Sequence, residues 1–395
     1  MSASEFEIAL LLDANISSDM LGQIEILADG IGQDGQFRGR GVVFGPIGSD
    51  SAVRRRYESL CRCLGSAGAG SELLHLPLRR SIHPFDTLNL VRSPSLSQCD
   101  LWHCFSLSLL DSLLGLPANR MVRPCCLTIS CWPSEGIVRR LVRRSSSFAK
   151  VICFTDDLRE ALIKGGFPGE KCMVIPPEPP GEQRSIDKLT ARRLLNLKPD
   201  LKLVLADAHV SACSNQRQLS WAMAVVGQFR PGVRVMFPGC DPRLSGVKHL
   251  DTTLTPSCLG IYPGEKYEPE VLYAAADVLA LPGTGPVSPV PLLRAGRVSL
   301  PVVASDSPYF RRYLKHEENA LLFAPNAYST GNRTSRRIRP LAGAIARLLD
   351  DGNLAGELGE RLAQDINSSF VPGGSLSAHL SLYQNILSKR QPAKT

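Results

Sequence analysis

Short, almost uninterrupted apolar runs alternate with helical patterns along nearly the whole chain, and no other property of the sequence restricts its fold as tightly. EIALLLD, GVVFG, LLHLP, CDLWHC, CCLTIS and AKVICF make six strand candidates before residue 155. A strand that is apolar at nearly every position is buried on both faces, and parallel strands need crossover connections long enough to hold a helix. The expectation is a doubly wound parallel sheet. The segment MVIPPEPPGEQRS then brings Pro176, Pro177, Pro179 and Pro180, which forbid a helix and favour an extended connector. Beyond it the alternation restarts with KLVLAD, VRVMFP, SCLGIY, ADVLAL, PVVAS and ALLFA, separated by helical patterns such as NQRQLSWAMAVVGQF and RPLAGAIARLLDD. The chain therefore reads as an α/β protein with a Rossmann-like domain over 1–175, a linker over 176–186 and a second Rossmann-like domain over 187–372. After the break at Pro372-Gly373-Gly374, residues 373–395 hold an amphipathic helix, LSAHLSLYQNILSKR, expected to pack back on the domains. A length of 395 residues suits two cores better than one.

Composition excludes several classes. Hydrophobic residues make up 44% of the chain and charged residues 21%, an ordinary balance for a soluble enzyme. No stretch reaches the roughly 18–20 apolar residues needed to cross a bilayer; the nearest are broken by Asp111 and Asp277. The acidic residues before the first apolar run, and Asp13 at its end, mark a first strand rather than a secretory signal, so the expected compartment is the cytoplasm. The 12 cysteines are scattered through apolar surroundings, as buried thiols would be, and Cys61-x-Cys63 and the adjacent Cys125 and Cys126 do not suit tetrahedral chelation. No metal site and no cofactor is expected.

The net charge of +8 is partly local, because Arg139, Arg140, Arg143 and Arg144 recur at helical spacing. That basic face suits a solvated surface helix, or a peripheral contact with anionic headgroups on the inner face of a membrane. Nucleic acid is not an expected partner, since the arginines lack interleaved aromatics and no helix-turn-helix or zinc-finger spacing is present.

Residues 267–326, YEPEVLYAAADVLALPGTGPVSPVPLLRAGRVSLPVVASDSPYFRRYLKHEENALLFAPN, are ordered like the donor-binding half of a known family. LYAAADV leads to a strand ending in Leu-Pro, then a loop, a helix whose Leu-Leu packs inward, an LPVVASD strand, and ENALLFAP. This stretch is similar to retaining GT-B glycosyltransferases of family 4. Weaker likeness in KVICFTDDLREALIKGGFPGEKCMVIP and FVPGGSLSAHLSLYQNIL extends the resemblance over about residues 145–388, and residues 98–133 resemble the acceptor-domain strands; the first 95 residues match as architecture.

The resemblance implies a GT-B fold with two Rossmann-like domains facing a cleft. It also implies retaining transfer of a sugar from a nucleotide-diphosphate donor to a glycan or lipid acceptor, as in polysaccharide biosynthesis, without a metal. The loop Gly283-Thr284-Gly285-Pro286-Val287-Ser288, between a strand end and a helix, stands where backbone amides cradle phosphate. Gly285, Pro286, Val287 and Ser288 are therefore donor-site candidates.

The family's Glu-x7-Glu motif is replaced here by Pro286 and Arg294, neither of which can act as a carboxylate acceptor; Arg294 is instead a donor-site candidate that could grip a phosphate bidentately. The family's diphosphate-binding Arg and Lys correspond to His209 and Ser214, with Arg217 close enough to stand in. His103, in DLWHC, is the candidate acceptor-side base, with a polar strand-end role as the alternative. Two functions follow: an active glycosyltransferase, or a pseudoenzyme that keeps the scaffold as a binding or assembly partner in glycan synthesis. A GT-B sugar-nucleotide epimerase ranks behind both, because the loop offers no paired carboxylates.

Overall fold

The structure, a computed structural model, describes residues 6–13, 18–44, 94–105, 123–179, 186–207, 214–239, 244–254, 259–264, 266–285, 288–325, 334–370 and 372–389. They form two units. The first is built from Met1–Ile16, Met20–Glu178 and Pro372–Thr395, and the second from Ser17–Asp19 and Pro179–Val371. The division falls between Glu178 and Pro179.

The first unit holds a six-stranded sheet in the order β2-β1-β3-β4-β5-β6, with every pairing parallel. Its strands are β1 (Phe6–Asp13), β2 (Phe37–Phe44), β3 (Leu101–Cys104), β4 (Cys125–Ile129), β5 (Lys150–Cys153) and β6 (Cys172–Val174). Five of the six early apolar runs form β1 to β5; the sixth, LLHLP, lies outside the described residues. Helices α1 (Ser18–Asp34), α2 (Pro94–Gln98), α3 (Glu135–Arg143), α4 (Asp156–Lys164) and α12 (Gly374–Ser388) belong to the same unit.

Side chains alternate across each strand, which sorts them onto two faces. Ala9, Leu11, Trp102, Cys104, Cys125, Leu127, Val151 and Cys153 pack with Val138 and Leu141 of α3 and Leu158 and Leu162 of α4. The opposite face, which carries Leu101, His103, Cys126 and Thr128, is covered by α1 and α12. These two helices approach so closely that a Cβ on Gly30 would overlap the Leu376 side chain. All seven described cysteines are buried.

The second unit repeats the architecture with β7 (Lys202–Ala206), β8 (Val233–Pro238), β9 (Gly260–Gly264), β10 (Val278–Leu281), β11 (Val302–Ser305) and β12 (Leu321–Phe323), all parallel. The order β12-β11-β10-β7-β8-β9 places the first strand of the unit beside the fourth. This is the dinucleotide-fold order, and the strand sequence reverses between β7 and β10. Helices α5 (Lys188–Leu194), α8 (Pro269–Ala275) and α9 (Val290–Arg297) cover one face, and α6 (Gln216–Phe229), α7 (Leu244–Leu254) and α10 (Thr334–Asp350) the other. Helix α11 (Gly352–Ser369) supplies Leu358 to the second face and Leu362 and Ile366 to the first. The two six-stranded parallel sheets, each covered by helices on both faces, form the GT-B fold.

Local chemistry sets the helix starts. Thr155 caps α4 by accepting from Leu158 N at 3.3 Å, Asp187 caps α5 through Thr190 N at 3.0 Å, and Asp351 caps α11 through Leu354 N at 3.0 Å. Among the described residues no helix is long and apolar enough to cross a membrane.

Candidate functional site

In an open parallel sheet, ligands gather at the carboxyl ends of the strands where the order reverses. In the second unit that point lies between Asp207, which follows β7, and Pro282-Gly283, which follow β10. The first residues of α6 reach back over both strand ends: Asn215 Nδ2 donates to Pro282 O at 3.0 Å and Gln216 Nε2 to Asp207 O at 2.9 Å. Asn215 takes a left-handed φ of 52° to do so, a conformation asparagine tolerates better than most residues. From the β11 side, Ser305 Oγ donates to the Gly283 carbonyl.

The result is a small pocket lined by Asp207, Ser214, Leu281, Gly283, Ser288, Pro291 and Phe310. Its volume is ≈ 10 Å³, so in this conformation it admits one polar group rather than a nucleotide. At the same end of the sheet, Ser307 Oγ and Gln216 Oε1 are buried without hydrogen-bond partners. Buried polar atoms of that kind are uncommon, and they mark groups still available to a ligand or a water.

The chemistry of the lining differs from the expected phosphate cradle. Helix α9 starts at the pocket, but its first amides are already used. Val290 N donates to Ser288 Oγ at 3.3 Å, Pro291 has no N–H, and Leu292 N and Leu293 N donate to Pro289 O at 2.9 and 3.1 Å. The start of α9 therefore offers an anion its dipole rather than free amides. One lining group, Asp207, is a carboxylate that is mostly buried, and no described lining residue is a cation.

The sequence-derived candidates separate. Ser288 lines the pocket, and Gly285 sits half-buried three residues before it. His209, Pro286 and Val287 lie outside the described residues. Arg217 is exposed at the start of α6 and does not line the pocket. Arg294 is buried in the packing of α8 and α9, where its guanidinium is paired with Glu270. Four lining residues, Asp207, Leu281, Pro291 and Phe310, were not anticipated from sequence. The switch-point rule could have found Asp207, the residue that ends the first strand of the second sheet.

His103 is corrected by the structure. It was expected to face a cleft as an acceptor-side base. Instead it occupies the interior of a sheet face, in register with Leu10 and Cys126, beneath α12. It is fully buried and both ring nitrogens are engaged, Nδ1 with Tyr383 OH at 2.5 Å and Nε2 with Thr128 Oγ1 at 2.7 Å. Burial, and secondarily the nearby His379, hold its pKa well below the ordinary histidine value. A neutral, enclosed, doubly bonded imidazole ties the C-terminal helix to the sheet.

His379, on the same helix, donates from Nδ1 to Ser375 O at 2.8 Å and leaves Nε2 buried without a partner. It borders a cavity of ≈ 20 Å³ shared with Gln23, Phe105, Phe154 and Glu178. Glu178 joins the linker to the helix start: its carboxylate accepts from Gly373 N and from Ser375 N at 3.1 Å. Its backbone exchanges two hydrogen bonds with the Gln23 side chain, at 2.6 and 2.8 Å.

On α3, Val138 and Leu141 point inward while Arg139, Arg140 and Arg143 are exposed, and Arg144 follows as the C-cap. The expected basic face therefore exists as a helix surface. Its Arg139–Glu135 pair, at 3.3 Å between two exposed side chains, offsets little of that charge.

No protein-family model and no curated protein matches the sequence. Solved structures do match in fold. HepE of Anabaena in complex with UDP and glucose aligns with a TM-score of 0.69 at 16% identity, over 97% of this chain and 100% of that one. Sucrose-phosphate synthase from Thermosynechococcus elongatus aligns at 0.68 and 17% identity, over 98% and 100%. A glycosyltransferase from Rickettsia africae aligns at 0.63 and 15% identity, over 98% and 100%.

Proposed function

We propose that the protein is a glycosyltransferase of the GT-B class that takes a nucleotide-diphosphate sugar at the carboxyl ends of β7 and β10 and transfers the sugar, with retention, to a glycan or lipid acceptor. The observation that carries this reading is the pocket at the point where the strand order of the second unit reverses, opening on Ser288, Gly283 and the start of α9. Similar structures hold UDP and UDP-glucose, which supports the donor class. The donor diphosphate would meet the α9 dipole, the Ser288 and Ser214 hydroxyls and the backbone of the 283–285 loop, in place of the carboxylates and cations the family uses. The exposed arginines of α3, with Arg144, would face anionic headgroups on the inner side of a membrane that carries a lipid acceptor.

A second reading has its own support. The pairing of buried Arg294 with partly exposed Glu270, the satisfied amides of α9 and the Asp207 carboxylate in the pocket are what a scaffold released from diphosphate binding would keep. On that reading the protein is a pseudoenzyme in polysaccharide biosynthesis, acting as an assembly partner.

The readings separate in one assay. Incubation with UDP-, GDP- and ADP-sugars, followed by detection of free nucleoside diphosphate and of the anomeric proton of the product, should show slow release and a retained configuration for the enzyme. Absence of release with every donor, with or without added acceptor glycans, would leave the pseudoenzyme.

A further inference from the structure

Helix α6 buries Leu219, Ala222, Met223 and Val226 against the second sheet, and it packs between α7 and α10. Its other side carries Trp221, Val225 and Phe229, which are 38%, 36% and 75% exposed. The four-residue spacing sets these three side chains along one face. Exposed Arg217 stands one turn before Trp221. A contiguous exposed apolar stripe with two large aromatics is informative in a way that a lone exposed leucine is not.

Among the described side chains of the three helices that carry and flank the stripe, the charge presented to solvent without an ion-pair partner has one sign. Arg217 is the one ionisable residue in α6. Helix α7 exposes Lys248, and its carboxylate, Asp251, is buried and accepts from Gly260 N at 2.9 Å. Helix α10 exposes Arg339, and its carboxylate, Asp350, is paired with Arg230. Among the described side chains of these three helices, every carboxylate is thus buried or neutralised, while Arg217, Lys248 and Arg339 are presented to solvent.

We propose that this face of the second unit docks on an anionic lipid surface, with Trp221 and Phe229 entering the headgroup boundary and Arg217, Lys248 and Arg339 meeting lipid phosphates. A second copy of the chain is a poorer occupant, because a two-fold contact would set this cationic surface against itself. Three apolar side chains also fall short of the roughly 1,000 Å² that a stable protein interface buries. A bilayer requires neither shape complementarity nor that area. The surface is separate from the nucleotide pocket, so it stands or falls independently of the proposed donor site.

The test is co-sedimentation of the full chain with phosphatidylcholine vesicles, with and without phosphatidylglycerol, read together with tryptophan emission. Trp102 is buried and Trp132 half-buried, so a blue shift on binding reports chiefly Trp221. Binding should require phosphatidylglycerol and shift the emission. The Trp221→Ser/Phe229→Ser double variant should reduce the bound fraction by about tenfold while melting at the native temperature, because both side chains are exposed. Trp221→Phe should keep most of the binding and lose the shift, and Arg217→Glu should weaken binding.

Three results would overturn the proposal. One is no sedimentation with either vesicle. Another is binding that survives the double variant and is lost when Arg139, Arg140 and Arg143 become Glu. The last is a dimer in light scattering that the double variant abolishes.

Discussion

Acidification from pH 6.5 to 4 should destabilise the first unit through His379, by an amount the structure allows to be worked out. Burial lowers the pKa of this side chain from 6.5 to about 4, against the opposing effect of its bond to the Ser375 carbonyl. The unfolded chain takes up the proton near 6.5 and the folded chain only near 4, so across that interval the unfolded state binds more protons. Stability is therefore fully present above the unfolded value and is lost as pH falls toward the folded one. At about 1.4 kcal/mol per pH unit, the drop corresponds to about 3 kcal/mol.

The reference is His379→Gln, which can still donate to the Ser375 carbonyl but does not titrate. Urea unfolding at a series of pH values in a Trp221→Phe background, followed by the emission of Trp102 and Trp132 in the first-unit core, gives the stability of both proteins. The carboxylates contribute similarly to both and largely cancel in the difference, as does the larger, burial-driven part of the His103 shift; the smaller part that His379 imposes on His103 belongs to the measured difference. The native advantage should shrink by about 3 kcal/mol between pH 6.5 and 4. Parallel curves across that range would refute the reasoning.

Gly359→Ala should cost about 3 kcal/mol or more and lower the melting temperature of the second unit, because a Cβ there would lie 2.8 Å from the Ser299 carbonyl carbon and closer still to its oxygen, which as backbone cannot swing aside. Glu178→Gln should cost about 1–2 kcal/mol and speed amide exchange in the first turn of α12, since the charge at that helix start and its bonds to Gly373 N and Ser375 N are weakened. Arg294→Ala should destabilise the second unit by about 1–3 kcal/mol, seen in denaturant melts, because it leaves Glu270 without its buried partner.

The strands were legible because burial on both faces of a parallel sheet demands apolar residues at nearly every position, and KLVLAD or PVVAS can hardly be anything else. What escaped reading was non-local. His103 lies within a strand whose alternation separates two faces, but what covers its face is Tyr383, 280 residues further along the chain. Arg294 stands at the position of a family donor-site glutamate, yet its partner Glu270 sits on the preceding helix, and nothing in the spacing announces that α8 and α9 bring the two together. The satisfied amides of α9 could have been suspected from Pro289 and Pro291 alone, since proline has no N–H and favours the helix start.

The central claim is that the point of strand reversal in the second unit holds a nucleotide diphosphate. Ser288→Asp isolates that claim, because aspartate keeps an acceptor for Val290 N and suits the start of a helix, while its charge opposes a diphosphate. Calorimetric titration of the native protein and this variant with UDP, GDP, ADP and their sugar conjugates should show binding of at least one nucleotide by the native protein, and a loss of about tenfold or more in the equally stable variant. Absence of heat with every nucleotide, or equal affinity in the two proteins, would contradict it.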